Sequence, residues 1–131
     1  MHRGRCLCGD VTWEGDGPIE LPHHCHCSIC RRSHGTAFGS VGALAAQTYR
    51  LHARPEQLIA FETSPGSVRR FCARCGSPLP TDPIDGQVFV PLGQLDDDPG
   101  VKPLAHIFVG SKAPWFDITD ALPCHEGYPP A

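Results

Sequence analysis

Residues 22–35 read PHHCHCSICRRSHG. Cys25, Cys27 and Cys30 fall within this stretch, with His23, His24 and His26 beside them. Thiols this dense either close a structural metal staple or leave a metal with one free coordination position. The remaining cysteines decide between the two.

Those cysteines come in three groups. Cys6 and Cys8 form C-x-C before Gly9, Cys72 and Cys75 form C-x-x-C before Gly76, and Cys124 stands alone. A C-x-x-C unit followed by glycine, as at Cys72 and Cys75, is a knuckle. Both sulfurs reach one tetrahedral ion, and the glycine lets the backbone turn its N–H groups toward them. One knuckle supplies two ligands, so a closed site needs a second pair. The simplest pairing is Cys6, Cys8, Cys72 and Cys75 as a structural zinc site, which contributes folding energy directly. Cys25, Cys27 and Cys30 are then left as a trio. Three protein ligands with an open fourth position are the signature of a reactive zinc site. That position is open to water, His24, His26 or a substrate thiolate. The competing reading is a second closed site, completed by Cys124 or a histidine. Cys124, followed by His125, reads most simply as a free thiol.

The start, MHRGRCLCGD, has basic residues but no apolar run behind them, so a secretory leader is not expected. The longest apolar stretch, VGALAA at 41–46, is far too short for a membrane span. A cytoplasmic setting follows as the expectation, and in a reducing compartment clustered thiols hold metal rather than disulfides. A chain of 131 residues is one domain by size. Its formal charge is -3 and it has no basic run beyond Arg31-Arg32 and Arg69-Arg70, so no nucleic-acid partner is expected.

The chain carries 14 Gly and 14 Pro, and turn signals recur between short runs of strand type. Strands are expected within 11–14, 36–44, 57–63, 67–72, 87–93 and 106–110. Pro65-Gly66 suits the centre of a type II hairpin turn. Residues 28–35 predict one or two helical turns, with Ser28 as N-cap and Gly35 as the stop. APWF at 113–116 predicts a short turn, and the tail GYPPA a frayed end. The fold class is therefore mostly β, with small antiparallel sheets and little helix. Exposed β edges would permit a dimer.

Taken in order, GRCLCGDVTWE, HCHCSICRRSHGTAF, RRFCARCGSPL, GQLDDDPGVKPLAHIFVGSKAPWF and ITDALP resemble the glutathione-dependent formaldehyde-activating enzyme family, which includes centromere protein V. The resemblance runs from about residue 3 to 123 of a single domain spanning 1–131. It implies a small zinc-binding domain of the Mss4-like type. It also implies two zinc ions: a structural one on Cys6, Cys8, Cys72 and Cys75, and a catalytic one on Cys25, Cys27 and Cys30. The implied activity joins glutathione to formaldehyde, a carbon–sulfur lyase reaction named for its reverse. A three-thiolate zinc suits thiolate carriage better than water activation.

Around the trio, Arg31 and Arg32 are candidates for binding the carboxylates of a glutathione-like thiol. The plainer alternative is a solvated pair. Ser28 either bonds a ligand sulfur or caps the helix. Trp115 and Phe116 either wall a pocket or, more simply, pack in the core. His106 reads as a satisfied buried histidine. Asp96, Asp97 and Asp98 read as a solvated turn, with Asp96 fixing a loop through backbone N–H groups. Two non-enzymatic readings remain beside the lyase: a zinc-stabilised binding or scaffold module, and a zinc storage or sensing protein.

Overall fold

The computed structural model describes residues 1–130. Its nine strands are β1 (His2–Arg5), β2 (Thr12–Gly15), β3 (Glu20–Cys25), β4 (Gly39–Ala45), β5 (Arg50–His52), β6 (Leu58–Ser64), β7 (Ser67–Cys72), β8 (Gln87–Pro91) and β9 (His106–Ile107). They form three sheets, ordered β1-β2-β5, β8-β4-β3-β9 and β6-β7. All pairings are antiparallel except β3 with β9. Among the described residues there is one α-helix, α1 (Ser28–His34), between β3 and β4.

The hairpin β6-β7 turns at Pro65-Gly66, where Gly66 has φ +79°, the left-handed value that position i+2 of a type II turn demands. Helix α1 stops at Gly35, which has φ 65° and returns its N–H to the Arg31 carbonyl. Its N-cap is Cys27, not Ser28: the Cys27 Sγ accepts the Cys30 N–H at 3.3 Å, and Ser28 is the first helical residue. The residue that caps the helix is thus one of the trio. At 113–116 the turn closes with the Phe116 N–H on the Ala113 carbonyl.

Three strands escape the pattern of sequence alternation. β3 is written in proline and histidine, ELPHHC, and takes a bulge between Glu20 and His23, with Leu21 at φ 51°. β1 and β5 are short and polar and flank β2. The expected run at 106–110 is cut to two residues because Phe108 adopts φ 56°, which ends the extended chain. The tail is tied back rather than frayed. Phe108 N–H bonds the Gly127 carbonyl, and the Phe108 and Tyr128 rings meet edge to face at 4.8 Å. Ala131, the last residue of GYPPA, lies outside the described residues.

Trp13, Ile19, Leu44, Val88 and Val90 form the main apolar core. Two smaller clusters are built on cysteine: Cys6, Val11, Cys72 and Leu79 in one, and Cys25, Cys30 and Ile107 in the other. The main core is packed against backbone at Gly4, where a Cβ would lie 2.2 Å from the Trp13 ring. Trp13 is 1% exposed and its Nε1 donates to Gln94, so the ring has nowhere to move. Gly4→Ala is expected to cost roughly 1–3 kcal/mol by overpacking. A lowered midpoint in a denaturant titration checks it.

Candidate metal centres

The first centre joins two turns. β1 delivers Cys6 into a turn closed by the Gly9 N–H on the Cys6 carbonyl, with Gly9 at φ +83°. β7 delivers Cys72 into a second turn closed by the Gly76 N–H on the Cys72 carbonyl, with Gly76 at φ +77°. The glycine after each pair therefore does what the knuckle requires. The ligand atoms of Cys6, Cys8, Cys72 and Cys75 all lie within 4.8 Å of one another. Cys6 Sγ is 3.6 Å from Cys8 Sγ, which is 3.7 Å from Cys72 Sγ. Ser77 ties the turns together, its Oγ accepting the Leu7 N–H at 2.9 Å and lying 3.1 Å from Cys75 Sγ.

Four thiols so close cannot all ionise without a cation. The bond from Ser77 lowers the Cys75 thiol to about 5. The Asp10 backbone pulls Cys8 down, but burial and the neighbouring thiols outweigh it and push Cys8 up to about 12. One thiol gives up its proton while its neighbour holds on, as like charges at contact require. A soft divalent cation resolves the conflict, so the donor set fits zinc.

The second centre is the trio. Cys25 closes β3, Cys27 caps α1 and Cys30 sits in its first turn, and their ligand atoms also lie within 4.8 Å of one another. Bonds from Cys25 and Cys30, then the Cys30 and Ile29 N–H groups, hold the Cys27 thiol far below its ordinary range. Its two neighbours push Cys25 far above its own. The Arg69 guanidinium reaches over from β7 and donates to Cys30 Sγ at 3.8 Å.

Among the described residues, no fourth His, Cys, Asp or Glu completes this group. His24 and His26 are engaged elsewhere. His24 Nδ1 bonds Ser40 Oγ at 2.7 Å, and His26 Nε2 bonds His106 Nδ1 at 2.8 Å. Cys124 is exposed, and its Sγ bonds the Leu122 carbonyl. His106 is the satisfied buried histidine the sequence suggested: 1% exposed, with its Nε2 on Asp120 at 2.9 Å. Burial, and then His106, lowers His26 to about 4, so it stays neutral at pH 7.

The remaining candidates spread out. Arg31 is half-buried and its Nε has no partner, while Arg32 and Ser28 are exposed. Trp115 is 70% exposed and is not a core residue. Its neighbour Phe116 does pack, 5.4 Å from the Phe38 ring. Asp96, Asp97 and Asp98 are exposed. Asp98, not Asp96, accepts the loop N–H, from Gly100, while Asp96 pairs with Arg5. Sequence reasoning passed over Arg69, Ser77 and His34. Only His34 left a signal: it lies one helical turn beyond Cys30, on the same face.

The fold and its two thiol clusters define a small, mostly β domain able to hold metal through cysteine. A family model for glutathione-dependent formaldehyde-activating enzyme matches residues 1–111, and the chain belongs to that family. A crystal structure of a Rhodobacter sphaeroides protein is similar with a TM-score of 0.62 and 23% identity, over 77% of this chain and 97% of that one. That likeness concerns the fold. No curated protein shows significant similarity to the chain. No helix among the described residues is long and apolar enough to cross a membrane.

Proposed function

We propose that this chain joins a glutathione-like thiol to formaldehyde or a related small aldehyde, and catalyses the reverse cleavage. The observation that carries the reading is the trio: three thiols converge with no fourth ligand, beside a separate group of four. The group of four is the structural site and the trio the reactive one. Zinc bound by Cys25, Cys27 and Cys30 supplies a soft Lewis acid that favours the thiolate form of an arriving thiol.

The chain's own residues do the rest. The Cys27 Sγ is held by the Cys30 N–H at the start of α1, so one wall of the site is preorganised. Arg69 offsets charge at Cys30 Sγ. Arg31 and the exposed Arg32 follow directly on α1, and we assign them to the carboxylates of the thiol. Ser28 at the first helical position and the exposed Trp115 are the remaining contacts we assign to the thiol. The reaction is an addition: a sulfur lone pair forms the C–S bond, the C=O π pair moves to oxygen, and the thiol proton ends there.

The test is exchange between free formaldehyde and its glutathione adduct, followed by NMR with zinc-loaded protein. Exchange is expected to exceed the uncatalysed rate in proportion to enzyme. Failure to accelerate it with glutathione, or with any smaller thiol and aldehyde pair, would overturn the reading.

A further inference from the structure

A cleft of about 320 Å³ opens beside α1, lined by His34, Thr36, Phe38, Gly39, Ser40 and Gln94 among others. At Gly39 its lining lies against Cys30, one residue of the trio. A Cβ on Gly39 would stand 2.9 Å from the His34 ring and 3.4 Å from the Cys30 Cβ, so ring, thiol residue and cleft floor meet at one point. The side-chain hydrogen bonds of α1 and its cap involve Cys27, Cys30 and Ser33, and the His34 ring makes none among the described residues. Gln94 is already committed, to Trp13 and Pro78. His34 is therefore the free ring donor at the trio end of the cleft.

Two properties define what fits. No Lys, Arg, Asp or Glu among the described residues lines the cleft. An ionised guest would lose water there with no charged side chain in the lining to meet it. The volume lies in the range of small organic-ligand sites, far above what a one-carbon carbonyl occupies.

We propose that this cleft seats the carbonyl partner of the reaction, an uncharged aldehyde larger than formaldehyde, with the His34 imidazole N–H donating to its carbonyl oxygen. The proposal rests on the thiol–aldehyde reading above and names its second substrate. As the sulfur lone pair forms the C–S bond, the C=O π pair moves onto oxygen, where the His34 N–H meets the growing negative charge. The proton released when the thiol ionises then reaches that oxygen through solvent, and nothing is oxidised or reduced. Burial, and then Arg69, holds the imidazole below its ordinary pKa, with Cys27 opposing. The ring is thus neutral at pH 7, and one nitrogen keeps its proton to donate.

The first probe is benzamide, an unreactive carbonyl of suitable size, titrated into zinc-loaded protein and followed by NMR. Shifts are expected at Thr36, Phe38 and Ser40, and His34→Ala should weaken binding about tenfold. The second probe is turnover of glutathione with benzaldehyde, formaldehyde or glyoxylate. Benzaldehyde should be preferred to the anionic glyoxylate. His34→Ala should cut its kcat/KM about 100-fold, the scale for removing one donor to a developing oxyanion. His34→Gln, which keeps an N–H, should recover part of that, with zinc content and glutathione affinity unchanged throughout. Benzamide binding and benzaldehyde turnover indifferent to His34→Ala, or a preference for glyoxylate, would overturn the proposal. No wild-type turnover with any aldehyde, alongside benzamide shifts in the cleft, would sink the thiol–aldehyde reading and leave the cleft as a carbonyl-binding site.

Discussion

Cys72→Ser is expected to leave the chain unfolded at 37 °C. Cys72 is 1% exposed and packs with Cys6, Val11 and Leu79, so it belongs to the core as well as to the four thiols that could hold a metal. Its contact with Cys8 Sγ spans 64 residues of chain, which makes this group the bond between the β1 turn and the β7 turn. The Leu7–Ser77 bond and the exposed Arg74–Asp10 pair stand beside it. The sheet β1-β2-β5 and the hairpin β6-β7 share no strand, and a two-stranded hairpin is marginal by itself. Structural zinc contributes on the order of 10–16 kcal/mol to small zinc domains. Whole domains of this size are stable by about 5–15 kcal/mol. Removing one of four ligands also leaves three crowded thiols with a poorer cation site. Far-UV circular dichroism and a thermal melt of the variant check this. A cooperative melt within a few degrees of wild type would contradict it.

Cys27→Ser is expected to do the opposite: to keep the fold and lose the chemistry. Cys27 is the N-cap of α1, and its Sγ accepts the Cys30 N–H. Serine is a better cap than cysteine, so the helix start survives the change. What is lost is a thiolate among the three that converge. With two thiols left, the site falls below the ligand number that holds zinc firmly. Metal at the trio should drop to near zero while the melting midpoint moves by only a few degrees. Catalysed glutathione–formaldehyde exchange should fall by at least about 100-fold, roughly 3 kcal/mol of transition-state stabilisation. Exchange at the wild-type rate in this variant would remove the trio from the mechanism.

These two residues also mark how far the sequence could be read. Both cysteine groups were legible because knuckle spacing is a local geometric demand, and glycines at 9 and 76 signalled the turns. The hairpin turn at Pro65-Gly66 and the stop at Gly35 were legible for the same reason: each needs a left-handed residue. β3 was not. His24 in it and His26 just beyond it stood as candidate ligands, whereas they form the layer that joins Phe38 and His106 behind the trio. That layer depends on the parallel β3-β9 pairing, which brings together residues some 80 positions apart. Arg69 meets Cys30 through a separation of 39 residues, and no local pattern encodes that. Trp115 misled in the other direction. A large aromatic reads as core by its type, but the turn at 113–116 packs Phe116 against Phe38 and turns Trp115 outward.

The most direct test of a closed group of four beside an open trio is zinc per chain, by elemental analysis on protein purified without chelator, then again after mild chelation. The account predicts about two ions per chain at first. After chelation it predicts about one, with the far-UV spectrum unchanged and three thiols newly reactive. A single ion from the start, or two that leave together as the chain unfolds, would contradict it.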